Sequence, residues 1–164
     1  GAIHFTANTA SSATTAIPAA GARKRRNARS QAGTYSGNGV AAAAAAATID
    51  VLATGEPFAR IERTGRAIMD GLGKICDNRG VPHHVVGHPS MIGLFFGQER
   101  PTQFRDTANH DAELYEAVVL GMIDRGVMPV DEGLEPWFLS AAHSDEDVAT
   151  TLTAFEEALG DALA

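Results

Sequence analysis

From residue 38 to the end of the chain, segments with the periodicity of helices and strands follow one another. The order of these segments restricts the fold more than any other feature of the sequence. Residues 40–53 are rich in alanine, with an unbroken alanine run at 41–47. Alanine has the highest helix propensity of all residues. Asn38 or Ser36 is placed to cap the first turn, and Gly55 to end the last one. The sequence therefore predicts a first helix over residues 40–53.

Three further segments have the periodicity of helices with one apolar face. The second helix is predicted to begin at Pro57, which suits the first helical position, and to end at residues 78–80. The third is predicted over residues 111–125. The last begins at Ser144, where Ser144 and Asp147 fit a capping box. The inward residues expected on the three helices are Phe58, Ile61, Ile68, Leu72 and Ile75, then Leu114, Val118, Met122 and Ile123, then Val148, Leu152, Phe155 and Leu159.

Short apolar runs between these helices predict strands. Residues 83–86 and 91–96 are expected to pair as a hairpin through the link at 87–90. Two briefer strands are predicted at 127–130 and 137–140, whereas residues 98–109 have the polar composition of a loop. The order α, α, β, β, α, β, β, α predicts an α+β fold, in which a small, mostly antiparallel sheet carries helices on one face.

Charge is distributed unevenly along the chain. The net charge is −7, but no acidic residue precedes Asp50, so residues 1–49 carry +5 and residues 50–164 carry −12. The acidic balance argues against nucleic acid as a partner. The basic cluster at residues 23–29 is compatible with a phosphate-rich partner or with a solvated tail. Residues 1–30 show no periodicity and resemble either a transit peptide or a poorly ordered leader.

One cysteine and the lengths of the apolar runs limit the class of protein further. Cys76 has no cysteine to pair with, which excludes a disulfide scaffold and indicates a reducing, cytoplasmic location. The longest apolar run, residues 40–49, is about half of the roughly 20 residues that a membrane-spanning helix needs. We therefore expect no membrane partner.

The residue clusters that commonly form metal or catalytic sites do not predict such a site in this sequence. His83, His84 and His88 suggest a zinc site, but neighbours on a strand point to opposite faces, so no metal site is predicted. His143 and Ser144 are adjacent, which suits a helix cap better than a nucleophile and its base. The chain contains neither a P-loop nor a G-x-G-x-x-G motif. The sequence therefore predicts no catalytic residue.

Gly33 and Thr34 form the most suggestive pair. A glycine followed by a hydroxyl residue, in a loop just before a helix, offers backbone N–H groups and one hydroxyl to an anion. Many loops contain Gly-Thr without binding phosphate, so the pair alone is weak evidence.

Four motifs in order add a family resemblance over about residues 31–163. QAGTYSGN at 31–38 before the alanine-rich helix resembles the segment that opens the last third of class III pyridoxal-phosphate aminotransferases. PSM at 89–91 with LFF at 94–96, RGV at 125–127, and WFLSAAHS at 137–144 resemble later motifs of the glutamate-1-semialdehyde aminomutase branch.

The resemblance implies a fold, a cofactor and partners. The fold is the small C-terminal domain, residues 31–164, of a type-I pyridoxal-phosphate enzyme. In that family the Gly-Thr loop binds the phosphate of the cofactor held by the other subunit of a homodimer, and Gly33 and Thr34 match it. The implied activity is amino-group transfer on small amino or keto substrates, including the conversion of glutamate 1-semialdehyde to 5-aminolevulinate.

Departures from the family pattern limit that activity. The lysine that binds the cofactor covalently would fall near Ala2 and Ile3, and the only lysines of the sequence are Lys24 and Lys74. We therefore expect a C-terminal fragment that is inactive alone, whose residues 1–30 are an unrelated leader or come from a shifted reading frame. The alternative is a non-catalytic α+β module that binds a partner chain or oligomerises.

Overall fold

The structure is a computed structural model of the chain, and it describes residues 37–164. A division between two compact units falls after Asp50. The boundary predicted between residues 30 and 31 lies outside the described residues and stays a prediction.

Helix α1 spans Gly39–Ala53, one residue more than predicted. Its first turn is capped by Asn38, whose side-chain oxygen accepts from the N–H groups of Val40 at 2.9 Å and Ala41 at 3.1 Å. Gly55 follows the helix with a φ of 78°, a left-handed conformation that glycine adopts at little cost. The predictions of an Asn38 cap and a terminating Gly55 are both confirmed.

Helix α2 spans Glu56–Arg79, with Pro57 in its first turn and Gly80 in the left-handed conformation just after it. Its buried residues are Thr64, Gly65, Ile68, Leu72 and Cys76. The predicted inward position of Phe58 is wrong, since that side chain is 57% exposed. The first fully buried residues of α2 are Thr64 and Gly65, and Phe58 lies more than a turn before them.

The sheet has three antiparallel strands in the order β1–β2–β3. β1 spans His83–His88, β2 spans Met91–Phe96, and the two form the predicted hairpin with Val85 opposite Leu94. β3 is only Trp137–Phe138, shorter than the predicted 137–140, because Ser140 already belongs to the turn before the last helix. The strand predicted at 127–130 is wrong.

The failure of that strand has a local cause. The N–H of Val127 donates to the carbonyl of Met122 at 3.0 Å, which continues the turn that ends the third helix. Gly126 has a φ of 81°, and Pro129 has no N–H to donate to a neighbouring strand. Residues 127–130 therefore leave the helix as an irregular chain.

Helices α3 and α4 span Ala112–Asp124 and Asp145–Ala162. The capping box of α4 is confirmed, because Ser144 Oγ accepts from the Asp147 N–H while the Asp147 carboxylate accepts from the Ser144 N–H. A 3-10 helix at Phe104–Asn109, ending at His110, interrupts the predicted loop.

The inward residues predicted for these two helices are confirmed in part. Val118, Met122, Phe155 and Leu159 are fully buried, whereas Leu114, Val148 and Leu152 are half-buried and Ile123 is exposed. The prediction missed four buried residues, namely Tyr115, Val119, Ala154 and Ala158.

The core lies between the sheet and the helices of residues 51–164. β2 contributes Ile92, Leu94 and Phe96, which share one face of the sheet and belong to the same buried cluster as Leu72 of α2 and Phe155 of α4. α2 and α3 contact the sheet, and α4 packs across both of them. This arrangement confirms the predicted α+β fold with a small antiparallel sheet.

Close approach and charge fix α3 against α4. A Cβ added at Gly121 would come within 2.9 Å of the Ala158 Cβ, so the two helices meet where both side chains are small. Arg125 donates through Nε to Glu157 and through another nitrogen to Asp161, and also to the carbonyl of Gly121. The arginine of the RGV motif therefore links the end of α3 to α4 through two ion pairs.

Within residues 37–164, no single helix is both long and apolar enough to cross a membrane. Only α1 and α2 taken together, broken at residues 54–55, meet that criterion of length and composition.

Substitution of Gly65 by alanine tests the packing of α2 on the hairpin. A Cβ at this position would come within 1.9 Å of the carbonyl oxygen of Pro89, which is backbone and cannot swing aside. We expect a loss of about 1–3 kcal/mol in the free energy of unfolding, the usual cost of overpacking, measured by urea denaturation.

Gly73→Ala on the same helix is the control. Its nearest atom, His83 Nε2, lies at 3.6 Å, so it should unfold no more easily than the parent. Equal stability of the two variants would contradict this packing.

Candidate functional site

The start of α1 limits where an anion can be held. Asn38 already accepts from the N–H groups of Val40 and Ala41, and its own carbonyl accepts from the N–H of Ala42 at 3.0 Å. Two of the donors that a helix N-terminus leaves free, the N–H groups of Val40 and Ala41, are thus occupied. A phosphate near this end of α1 would have to use donors at or before Gly39. Gly33 and Thr34 lie there, outside the described residues, and their role stays a prediction.

Among the described residues, one lysine and one cysteine are the candidates for a covalent bond to a cofactor or substrate. Lys74 is exposed on α2. Cys76 is fully buried, and burial, reinforced by Asp77, raises the pKa of its thiol to about 12. A thiol held protonated and away from solvent is a poor nucleophile. Cys76 is therefore a structural residue in the buried part of α2.

The three histidines of the hairpin each bind a different group. His83 donates through Nδ1 to the carbonyl of Val81 at 3.0 Å, and His84 donates through Nε2 to that of Gln98 at 3.3 Å. Nδ1 of His88 accepts from the N–H of Ser90 at 3.2 Å. Across residues 37–164, no three His, Cys, Asp or Glu side chains are arranged to hold a metal ion.

His143 and Ser144 perform two separate structural tasks. Nδ1 of His143 accepts from the N–H of Ser140 at 3.0 Å and closes the turn after β3. The hydroxyl of Ser144 is engaged with Asp147 in the capping box of α4. The pair therefore serves the turn and the cap, in agreement with the interpretation of Ser144 as a cap.

An open, mostly apolar cleft of about 520 Å³ lies beside β3. Residues 127–131 form one wall, and Trp137, Phe138 and Leu139 form another. Its polar lining is limited to Asp131, His143 and Thr151. The cleft thus offers apolar surface and few groups that could orient a polar substrate.

Residues 127–136 are called the 127–136 segment below. A buried chain of two hydrogen bonds connects this segment to α3 and β3. The indole N–H of Trp137 donates to the hydroxyl of Tyr115 at 2.9 Å. That hydroxyl donates to the carbonyl of Val130 at 2.8 Å. Burial raises the pKa of Tyr115, so the hydroxyl keeps its proton and remains a donor. α3 is thereby joined to both β3 and the 127–136 segment.

The ring of His110 also contacts the 127–136 segment, at Gly133. Its ring packs against Phe95, Phe96 and Tyr115, with centroid distances of 4.8, 6.4 and 5.4 Å. A Cβ added at Gly133 would come within 2.4 Å of Nε2, so the segment lies directly on the imidazole edge. Sequence reasoning missed His110, Tyr115 and Gly133, because their partners are distant along the chain and no periodicity marks them.

Comparisons with known proteins agree on one family. A family model for class III aminotransferases matches residues 7–159. The match begins well before Gln31, the residue at which the resemblance in the sequence begins. A glutamate-1-semialdehyde 2,1-aminomutase of Thermus thermophilus is 39% identical over 134 residues, which are 81% of this chain and 30% of the relative. Aminomutase 1 of Bacillus cereus is 37% identical over 129 residues, which are 79% of this chain and 30% of the relative.

Solved structures share the fold. An omega-transaminase from Sphaerobacter thermophilus aligns with a TM-score of 0.70 and 22% identity, over 84% of this chain and 31% of that one. A transaminase with PLP bound aligns with a TM-score of 0.63 and 20% identity, over 90% of this chain and 32% of that one. The chain therefore spans about a third of the length of these proteins.

Removal of the Tyr115 hydroxyl tests the buried chain. In Tyr115→Phe, the indole N–H of Trp137 and the carbonyl of Val130 both lose their partner, so we expect a loss of about 1–3 kcal/mol in the free energy of unfolding. Urea denaturation followed by the fluorescence of the single tryptophan measures it. Combination with Trp137→Phe, followed by circular dichroism, should give a loss smaller than the sum of the two single losses. Strictly additive losses would show that the two side chains do not interact.

Proposed function

Because the chain belongs to the class III aminotransferase family, we propose that it is the small domain and phosphate-binding loop of a pyridoxal-phosphate enzyme that transfers amino groups. The observation that carries this proposal is the 39% identity to a glutamate-1-semialdehyde aminomutase over 134 residues. We propose the same reaction here, the conversion of glutamate 1-semialdehyde to 5-aminolevulinate. Bound pyridoxal phosphate supplies the electron sink for such chemistry.

Gly33 and Thr34 are the residues of this chain that we assign to the cofactor phosphate. A backbone N–H and a hydroxyl suit phosphate oxygens, and the pair lies just before α1 in the sequence. The Asn38 cap supports this assignment, because it occupies the N–H groups of Val40 and Ala41 and so favours donors that lie closer to Thr34. By analogy with the family, the loop of one protomer serves the cofactor of its partner in a homodimer.

Residues 51–164 act as the scaffold of the enzyme in this proposal. The described histidines, the cysteine and the buried tyrosine are each engaged in the packing or hydrogen bonding of the domain itself. Neither Lys24 nor Lys74 stands where the resemblance places the cofactor lysine, so in this proposal that lysine comes from other polypeptide and the chain alone is inactive.

Chemical trapping tests the inactivity of the chain alone. The purified chain is mixed with pyridoxal phosphate, reduced with borohydride, and mapped by mass spectrometry. We expect no specific label, because Lys74 lies exposed on α2 and Lys24 lies well after Ala2 and Ile3, where the resemblance places the cofactor lysine. A single stoichiometric label at Lys24 or Lys74 would contradict the proposal. Concentration-dependent self-association with no cofactor binding under any condition would instead favour a non-catalytic partner-binding module.

Complementation tests the role of Thr34. The chain is combined with the lysine-bearing portion of the Thermus thermophilus aminomutase, and binding of pyridoxal phosphate is measured by absorbance. Loss of one hydrogen bond to a charged phosphate costs about 1.5–3 kcal/mol, so Thr34→Val should weaken binding roughly 10- to 100-fold. Thr48→Val is the control, since the Thr48 hydroxyl donates to the carbonyl of Ala44 within α1. Equal affinity of the two variants would exclude Thr34 as a phosphate ligand.

A further inference from the structure

The hydrogen bonds of His110 fix the position of its ring proton. The N–H of Phe96 donates to Nδ1 at 3.1 Å. The carbonyl of Phe96 lies farther from Nδ1, at 3.3 Å, and already accepts from the N–H of Asp111 at 2.9 Å. Nδ1 is therefore the acceptor, and the neutral ring carries its proton on Nε2.

Nε2 is the unusual atom of this ring. It is buried and has no hydrogen-bond partner among the described residues. Gly133 of the 127–136 segment closes over it, and any side chain at that position would collide with the ring. A buried polar group without a partner costs free energy, and the cost rises when the group is charged.

Protonation of His110 would change the contacts at both edges of the ring. A protonated Nδ1 could donate to the carbonyl of Phe96 at 3.3 Å, but the N–H of Phe96 would lose its acceptor. At Nε2 the positive charge would meet the covering backbone of Gly133 with no acceptor in place. Burial accordingly lowers the pKa of the His110 imidazole below its ordinary value.

One carboxylate and one carbonyl act on this balance. The Asp111 carboxylate and the Phe96 carbonyl both favour protonation, but burial outweighs them. Oδ1 of Asp111 is engaged with the N–H of Leu114 at 3.0 Å. The elements around the ring also carry other charged or titratable groups. These are Arg105 and Asp106 on the 3-10 helix, Glu113, Tyr115 and Glu116 on α3, His83 and His84 on β1 opposite Phe96 and Phe95, and Asp131, Glu132 and Glu135 in the segment.

We propose that His110 is a pH-sensitive latch that holds the 127–136 segment when neutral and releases it when protonated. β2 is held by its strand ladder on the other side of the ring, whereas the segment is irregular and is the weaker neighbour. Release would move one wall of the apolar cleft, because residues 127–131 form that wall. The latch is independent of the function proposed above.

The sign of the effect follows from the lowered pKa. The unfolded or released state binds a proton more readily than the closed state does, so the closed state gains stability as pH rises. The contribution of His110 is complete above the ordinary histidine pKa of about 6.5 and is lost as pH falls below it.

Hydrogen–deuterium exchange of the full chain tests the latch. Exchange is compared at about pH 7.5 and about pH 5, on either side of the ordinary histidine pKa, after correction for intrinsic rates. We expect the 127–136 segment to lose protection severalfold at the lower pH relative to α4. His110→Phe, which cannot titrate, should abolish that difference. His84→Phe is the matched control and should behave as the parent, since His84 bonds only the exposed carbonyl of Gln98.

A second measurement covers the case in which His110→Phe does not fold. An NMR titration of the parent chain gives the pKa of His110 directly, and the amides of Gly133 and Phe96 should shift with the same midpoint, below about 6.5. A His110 pKa at or above that value would overturn the latch. Undiminished protection of the segment at low pH, or a pH-dependent loss that persists in His110→Phe, would also overturn it.

Discussion

The inner face of β2 is the surface on which the rest of residues 51–164 depends. Ile92, Leu94 and Phe96 are almost completely buried, and α2 and α3 both contact the sheet there. Burying apolar surface at about 25 cal/mol per Å² is the main favourable contribution to such a core. α2 can approach the hairpin only because Gly65 has no side chain, so one missing Cβ sets the position of a 24-residue helix.

The motifs by which the family is recognised mostly encode this scaffold. PSM at 89–91 forms the hairpin turn under Gly65, and RGV at 125–127 contains the arginine that clamps α3 to α4. WFLSAAHS at 137–144 supplies β3, the His143 turn and the cap of α4. Within residues 37–164 these motifs therefore explain fold membership, while the proposed cofactor contact lies in the Gly-Thr loop upstream.

The sequence predicts best what depends on neighbours in the chain. Both caps, the Gly55 and Gly80 terminators and the hairpin follow from local propensity, and they agree with the structure. Phe58 and residues 127–130 were mispredicted because tertiary packing and a helix-ending turn decide their environment. His110 and Tyr115 were missed since their partners lie 14 to 22 residues away, beyond any periodicity. Gly33 and Thr34 stand out by residue type and by their place before a helix, the resemblance alone assigns them to a cofactor phosphate, and their role remains a prediction.

The most direct test of the proposed function is a crystal structure of this chain assembled with the lysine-bearing portion of the Thermus thermophilus aminomutase and pyridoxal phosphate. The account predicts that the Thr34 hydroxyl and a backbone N–H of the loop lie within about 2.7–3.1 Å of phosphate oxygens of a cofactor bound mainly by the partner protomer. A phosphate held elsewhere, with the Gly33–Thr34 loop away from it, would contradict the account.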